Sequence, residues 1–295
     1  MLTDRLFCLT GLMLSSIVRK LTFTLWNMKQ NKLVHSLLKG LNILEAFTPS
    51  QSSLGFQELC KKTGFPKTTV FRFLRTLTSR DYLSLDPKSK KYFLGPKVMS
   101  LGFTVLSGMD LRNVAYSYLE ELARTTDQNV HLAILDNTEV VVIERIKKWQ
   151  ILDINIPIGG RLNCYQTSIG RAILAFLHQE KLLSILNNLL KDAGAVKHIG
   201  PKGRKLIKIL KEVRLKGYAL NDEEFIKGVR AIAAPIFNAK GDVEGAVYIP
   251  VFSQMLGSEE SIERYAPLLM DTARKISTAR GMPVETFGYP VRPDH

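Results

Sequence analysis

The residues whose types and spacing carry the most chemistry lie between Lys67 and Arg80. On a helical wheel Thr68, Arg72 and Arg75 share one face at i, i+4 and i+7, while Val70, Phe71, Leu74 and Leu77 are expected to turn inward. Arg offers a planar fork for guanine edges or phosphates, and the hydroxyls of Thr68 and Thr69 can reach phosphates or bases. Lys67 and the free amides of the first helical turn would meet the phosphate backbone. Lys88, Lys90 and Lys91 sit about one turn motif further on, where they could reach a neighbouring groove or phosphate. The chemistry implied is double-stranded DNA binding, set against the plainer possibility of a solvated basic face.

Other reactive residue types give less. Cys8, Cys60 and Cys164 are far apart and form no CxxC pair, so neither a disulfide framework nor a zinc site is expected, and a reducing cytoplasm is the simplest compartment. Cys60 reads as a small packing residue in a helix. Cys164 followed by His178 could suggest a thiol nucleophile, but nothing adjacent supplies an orienting group. Asp222, Glu223 and Glu224 form an acidic cluster that reads as a solvated loop rather than a metal or acid–base site. No catalytic residue, metal ligand or cofactor is expected.

The elements that must position the basic face follow from local patterns. Leu37, Leu38, Leu41, Ile43, Leu44 and Phe47 recur at helical spacing until Pro49, a second helix is expected near Phe56–Thr63, and Gly64-Phe65-Pro66 turns the chain into the third, Lys67–Arg80. Tyr82–Leu85 and Lys91–Leu94 then alternate around Asp86-Pro87-Lys88-Ser89, the pattern of a β-hairpin. Three helices followed by a hairpin predict a winged helix-turn-helix over residues 29–95. A linker helix is expected over Pro96–Met109, with Val98, Leu101, Val105 and Leu106 on one side.

From Asp110 to about residue 288 the composition predicts an α+β domain. It opens with an amphipathic helix, Leu111–Thr125, and continues with strands Val130–Leu135, Val140–Ile146 and Ile151–Pro157. A helix near Ser168–Leu177 follows the Gly159-Gly160 turn. Helices near Gln179–Leu190 and Gly203–Lys216, strands near Ala231–Phe237 and Gly245–Val251, and a closing helix Glu259–Arg280 complete it.

Charge agrees with this division. Of the 295 residues, 41 are Lys or Arg and 27 are Asp or Glu, a net +14. Residues 29–109 hold 13 basic against 4 acidic residues, whereas 110–295 hold 25 against 22. The excess positive charge sits on the segment expected to bind a polyanion. Leu6–Val18 is apolar, but Asp4 precedes it, no clean small-residue cleavage site follows, and it is too short to span a bilayer. Organised patterning starts just after Met28, so residues 1–27 are expected to be a non-native or unstructured extension.

The stretches LLKGLNILEAF, GFPKTTVFRFLRTL and KKYFLGPKVMSLG resemble the winged helix-turn-helix and linker of the IclR (isocitrate-lyase regulator) family of bacterial transcription factors. PIGGRLNCYQTSIGRAILAFL, GYALNDEEFIKGVRAIAAPIFNAKGDVEGAVYI and TARKIS resemble that family's effector domain, a GAF-like α/β fold. Asp81 stands where the family commonly has Gly before the wing. The resemblance implies a homodimer or tetramer on a palindromic operator, no membrane association, and a small organic acid whose binding alters DNA affinity, controlling a catabolic operon. It further implies an effector pocket lined by Ile151, Ile154, Leu162, Ser168, Ile169, Asn221, Ala231, Tyr248 and Pro250. The amides of Ser168–Gly170 open a helix and could take a carboxylate. This lining is more apolar and bulky than in members that take small acids, which admits a larger, aromatic acid. Two rival readings remain open: a DNA-binding protein whose large domain only oligomerises, and an enzyme acting on a small acid.

Overall fold

The computed structural model describes residues 33–148, 156–252 and 258–283. The extension expected over residues 1–27 and most of the strand expected over Ile151–Pro157 lie outside the described residues. The chain divides into two compact units between Val105 and Leu106.

The first unit is built from α1 (His35–Glu45), β1 (Ser53–Gly55), α2 (Phe56–Thr63), α3 (Lys67–Ser79), β2 (Leu83–Leu85) and β3 (Lys91–Leu94), followed by the start of α4 (Pro96–Ser107). Its core is a small cluster of Ile43, Phe47, Leu54, Leu59, Val70, Leu74 and Leu83. Glu58 reaches back to the Gly55 amide (2.7 Å) and so caps the start of α2. Gly64, at φ 69°, ends α2 in the left-handed conformation that glycine adopts without strain. Antiparallel β2 and β3 form the wing, and β1 pairs with the other side of β3. At the wing tip the Asp86 carboxylate accepts the amides of Lys88 (3.0 Å) and Ser89 (3.2 Å), which fixes the turn that carries the wing lysines. Gly95 is required where the chain leaves the wing, because a Cβ there would lie 2.2 Å from the Asp81 carbonyl oxygen.

Burial corrects the expectation for α3. Phe71 is 56% exposed, and Phe73 takes the inward place beside Gly40 of α1. The two phenylalanines flank Val70, Leu74 and Leu77 on opposite sides, and the missing side chain of Gly40 leaves room on the Phe73 side. α4 buries none of its residues, and Leu101 and Val105 on the apolar side read from the sequence are exposed.

The second unit is a three-layer α/β arrangement around one antiparallel sheet. Its elements are α5 (Asp110–Thr126), β4 (Val130–Asp136), β5 (Glu139–Ile146), β6 (Arg161–Asn163), α6 (Ser168–Leu174), α7 (Gln179–Leu189), α8 (Ala193–Ile199), α9 (Arg204–Lys216), β7 (Ala219–Asp222), β8 (Val229–Phe237), β9 (Val243–Phe252) and α10 (Ser258–Ala279). The strand order is β6-β5-β4-β9-β8-β7. Period-two alternation sends Leu132, Ile232, Val247 and Ile249 to one face, where α5 and α10 cover them. Ala133, Ala233, Ala246 and Tyr248 go to the other face, under α6, α7, α8 and α9. The alanines let α6 sit close to the sheet. Gly170 is needed in α6 because a Cβ there would meet the Cys164 carbonyl oxygen at 2.1 Å. Of the strand expected over 151–157, the described residues Ile156 and Pro157 are not in a strand. On the side away from β4, β5 pairs with Arg161–Asn163. No helix among the described residues is long and apolar enough to cross a membrane.

Candidate functional sites

In the first unit α3 holds the basic face away from its core. Lys67, Thr68, Arg72 and Arg75 are exposed and Thr69 is half-buried. Lys88, Lys90 and Lys91 are exposed on the wing. None of Lys67, Arg72 and Arg75 is in an ion pair among the described residues, so their charges are available to an anionic surface. The exposed ring of Phe71, a residue whose spacing predicted an inward position, borders the same face. An aromatic ring there can contact a thymine methyl.

The second unit holds a pocket on the β7–β8–β9 face at the start of α6. The cavity and the open solvent at its mouth together span about 390 Å³. Seven of the expected residues line it: Leu162, Ser168, Ile169, Asn221, Ala231, Tyr248 and Pro250. Ile151 and Ile154 lie outside the described residues. Ile156, Thr167, Phe225, Ile226 and Val229 also line the pocket and were not anticipated, while Gly159 and Gly160 are not among the lining residues.

Few polar groups face this cavity. Asn221 is buried, and its side-chain amide donates to the Gln166 carbonyl (2.5 Å), which ties β7 to the turn before α6. Thr167 caps α6 by accepting the Gly170 amide (3.2 Å). One of the three amides expected to take a carboxylate is therefore already satisfied. The Tyr248 ring is stacked on His131, with centroids 4.7 Å apart. Its hydroxyl is buried without a hydrogen-bond partner among the described residues. Burial pushes the Tyr248 phenol well above its ordinary pKa, opposed by the charge of Arg145.

The acidic cluster is exposed at Asp222 and Glu224, as its composition suggests, but its carboxylates are paired. Asp222 pairs with Arg230 (2.5 Å), and Glu223 accepts the Gly228 amide (3.0 Å). Glu224 takes both terminal nitrogens of Arg171, each at 2.7 Å, while Arg171 Nε donates to the Tyr165 carbonyl (3.0 Å). The Arg171 side chain is only 5% exposed, and its guanidinium beside Glu224 holds that carboxyl below the usual range. This pair anchors the loop whose Phe225 and Ile226 close one wall of the pocket. The apolar Phe-Ile step directly after the acidic run was the available signal that the loop packs against something.

The thiol pair suggested by the sequence does not form. Cys164 is fully buried, and burial pushes its thiol up to about 12, whereas His178 pairs with Asp242 (2.5 Å). Among the described residues no group of His, Cys, Asp and Glu could hold a metal ion.

Residues 36–87 match the IclR helix-turn-helix domain, and residues 103–278 match the family described as bacterial transcriptional regulator IclR C-terminal. The chain is 33% identical over 253 residues to the HTH-type transcriptional regulator KdgR of Escherichia coli K12, covering 86% of this chain and 95% of that protein. It is 28% identical to the Pca regulon regulatory protein of Pseudomonas putida, covering 82% of each. Among solved structures, an IclR family transcriptional regulator from Brucella abortus is similar with a TM-score of 0.70 at 29% identity, covering 85% of this chain and 95% of that one. The Thermotoga maritima IclR has a TM-score of 0.65 at 26% identity, covering 84% and 99%.

Proposed function

Starting from the fact that the chain belongs to the IclR family of DNA-binding transcription regulators, not a family of enzymes, we propose that a small organic acid in the second unit's pocket sets its affinity for a palindromic operator. The observation that carries this reading is the pocket itself: an apolar cavity lined in part by Tyr248, a residue whose buried hydroxyl lacks a partner among the described residues. A buried donor of this kind costs free energy until an acceptor arrives, which favours a ligand carrying one.

The carboxylate assignment is narrower than the sequence suggested. With the Gly170 amide capped by Thr167, the amides of Ser168 and Ile169 remain for it. α6 has only seven residues, so local hydrogen bonds rather than an extended helix dipole would hold the acid. Leu162, Ile169 and Phe225 supply an apolar wall suited to a larger or aromatic body. On the DNA side, Lys67, Thr68, Thr69, Arg72 and Arg75 would meet one major groove, and Lys88, Lys90 and Lys91 the adjoining backbone. The name of the Pca regulon relative supports control of a set of genes, here proposed to be catabolic.

A palindrome calls for two copies of α3. The exposed apolar side chains of α4 at Met99 (75%) and Phe103 (69%), four residues apart and so on one side of the helix, are the surface we assign to self-association.

The test is thermal denaturation of the full chain against a panel of aliphatic and aromatic organic acids, followed by binding to duplexes that cover the promoters nearest its gene. One acid should raise the melting temperature and shift operator affinity by about 5–150-fold in either direction. If no acid stabilises the protein while the duplexes still bind, the second unit only oligomerises, and the sensing half of the reading is wrong.

A further inference from the structure

The second unit carries a charge segregation that neither the recognition helix nor the pocket uses. Residues 110–295 hold 25 basic and 22 acidic residues, close to balance. Within them, 197–216 alone holds eight Lys or Arg against one Glu, which leaves 17 against 21 for the remainder. A surface charged only for solubility would intersperse its signs. Here one sign is gathered onto one helix.

The structure places three of these charges along one face of α9. Leu206, Leu210 and Val213 of α9 are buried. Arg204, Lys208 and Lys211, at i, i+4 and i+7, are exposed along the opposite side, with Lys205 and Lys216 exposed at its margins. Like charges at these spacings repel within the helix, so the arrangement is destabilising on its own. None of Arg204, Lys208 and Lys211 is in an ion pair among the described residues. Arg214 is different: its Nε donates to the Ala175 carbonyl, which makes it a packing residue and leaves it out of the stripe. Lys197 and Lys202, exposed ahead of the helix, extend the positive surface.

We infer that this face of α9 is a second, sequence-independent contact for duplex DNA, made by the second unit to phosphates rather than to bases. Seven residues of helix advance about 10 Å, and one strand of a duplex presents one charge per about 3.4 Å of its axis, so a stripe of this length spans about three phosphates. Charge complementarity selects a polyanion, and the chain's membership of a DNA-binding family selects duplex DNA. The inference rests on the DNA-binding reading only for that choice.

The experiment uses the full chain and a mixed-sequence duplex of about 40 base pairs, with affinity measured across about 50–200 mM KCl. Wild type is compared with R204Q/K208Q/K211Q and with R72A/R75A. The plot of log affinity against log salt should become shallower by about 2–3 in the α9 variant, near 0.9 for each phosphate that is no longer neutralised. Melting temperature and oligomeric state should match wild type. Should the triple variant melt lower, K208Q alone should still make the slope shallower by about 1. A slope unchanged in the α9 variants but shallower in R72A/R75A overturns the inference and leaves the recognition helix intact. A slope unchanged in both sets overturns the DNA-binding assignments of α3 and α9 together. Loss of regulation in cells with an unchanged slope would also overturn it, pointing to an acidic protein partner.

Discussion

Replacing Tyr248 with Phe isolates the group on which the sensing proposal rests. The ring is 3% exposed and stacked on His131, so Phe keeps the packing and removes only a hydroxyl that is buried without a partner among the described residues. A buried unsatisfied polar group costs about 1–3 kcal/mol, so removing it should stabilise the ligand-free protein by about 1 kcal/mol or more. For a unit of this size that is a rise of about 2–4 °C in melting temperature. The acid identified by the thermal panel should respond in the opposite sense. A hydrogen bond to a charged acceptor contributes about 1.5–3 kcal/mol, so its Kd should rise about ten- to a hundredfold in Tyr248→Phe. Calorimetric titration alongside thermal melting reads both effects. If the variant melts lower than wild type without ligand, the hydroxyl has a partner and the argument from its burial is wrong. If it melts higher but binds the acid unchanged, the ligand does not use Tyr248.

Other perturbations test the remaining geometry. Arg72→Ala should cost about 1–3 kcal/mol on the operator and much less on random duplex if it reads a base edge, whereas equal loss on both would assign it to phosphate. Glu224→Gln should destabilise the second unit by about 1 kcal/mol at pH 7, a figure reduced for the 43% exposure of its side chain, and should loosen the Phe225–Ile226 wall. Because Arg171 lowers the Glu224 pKa, that stabilisation is complete above the ordinary Glu range and is lost as pH falls through the lower folded value, so the variant should show a flatter acid limb in urea melts. Gly95→Ala, whose Cβ would sit 2.2 Å from the Asp81 carbonyl oxygen, should destabilise the first unit by about 1–3 kcal/mol or more and lower DNA affinity with it. Iodoacetamide labelling at about pH 8, resolved by peptide mapping, should leave native Cys164 unmodified while Cys60 reacts, since burial holds the Cys164 thiol near 12.

Local periodicity makes much of the architecture legible from the residues alone. The runs around Ile43, Val70 and Leu119 repeat every three to four residues, and those around Leu132 and Val247 alternate, because each element buries one face and the chain writes that face at the element's own period. Gly64 and the turn at Asp86 mark the breaks for equally local reasons. β1, β6 and β7 escaped because they span only three or four residues, too few for alternation to show without a tight turn of the kind that marks the equally short β2 and β3. Which of Phe71 and Phe73 would be buried depended on Gly40, a residue of a different helix that leaves room on one side only.

The pocket divides in the same way. Leu162, Ser168, Asn221 and Tyr248 were reachable through resemblance, and they converge on one cavity because β6, α6, β7 and β9 are brought together by the antiparallel sheet and the helix on its face. Arg171 and Glu224 are 53 residues apart, and nothing near either one marks it as half of a bidentate pair. The state of Tyr248 was likewise invisible in sequence: a tyrosine in a strand is ordinary, and only the packed surroundings leave its hydroxyl without a partner among the described residues. Composition and period determine which faces a chain must bury. Which polar groups become stranded in doing so depends on contacts between residues far apart in sequence, and those are decided only when the sheet closes.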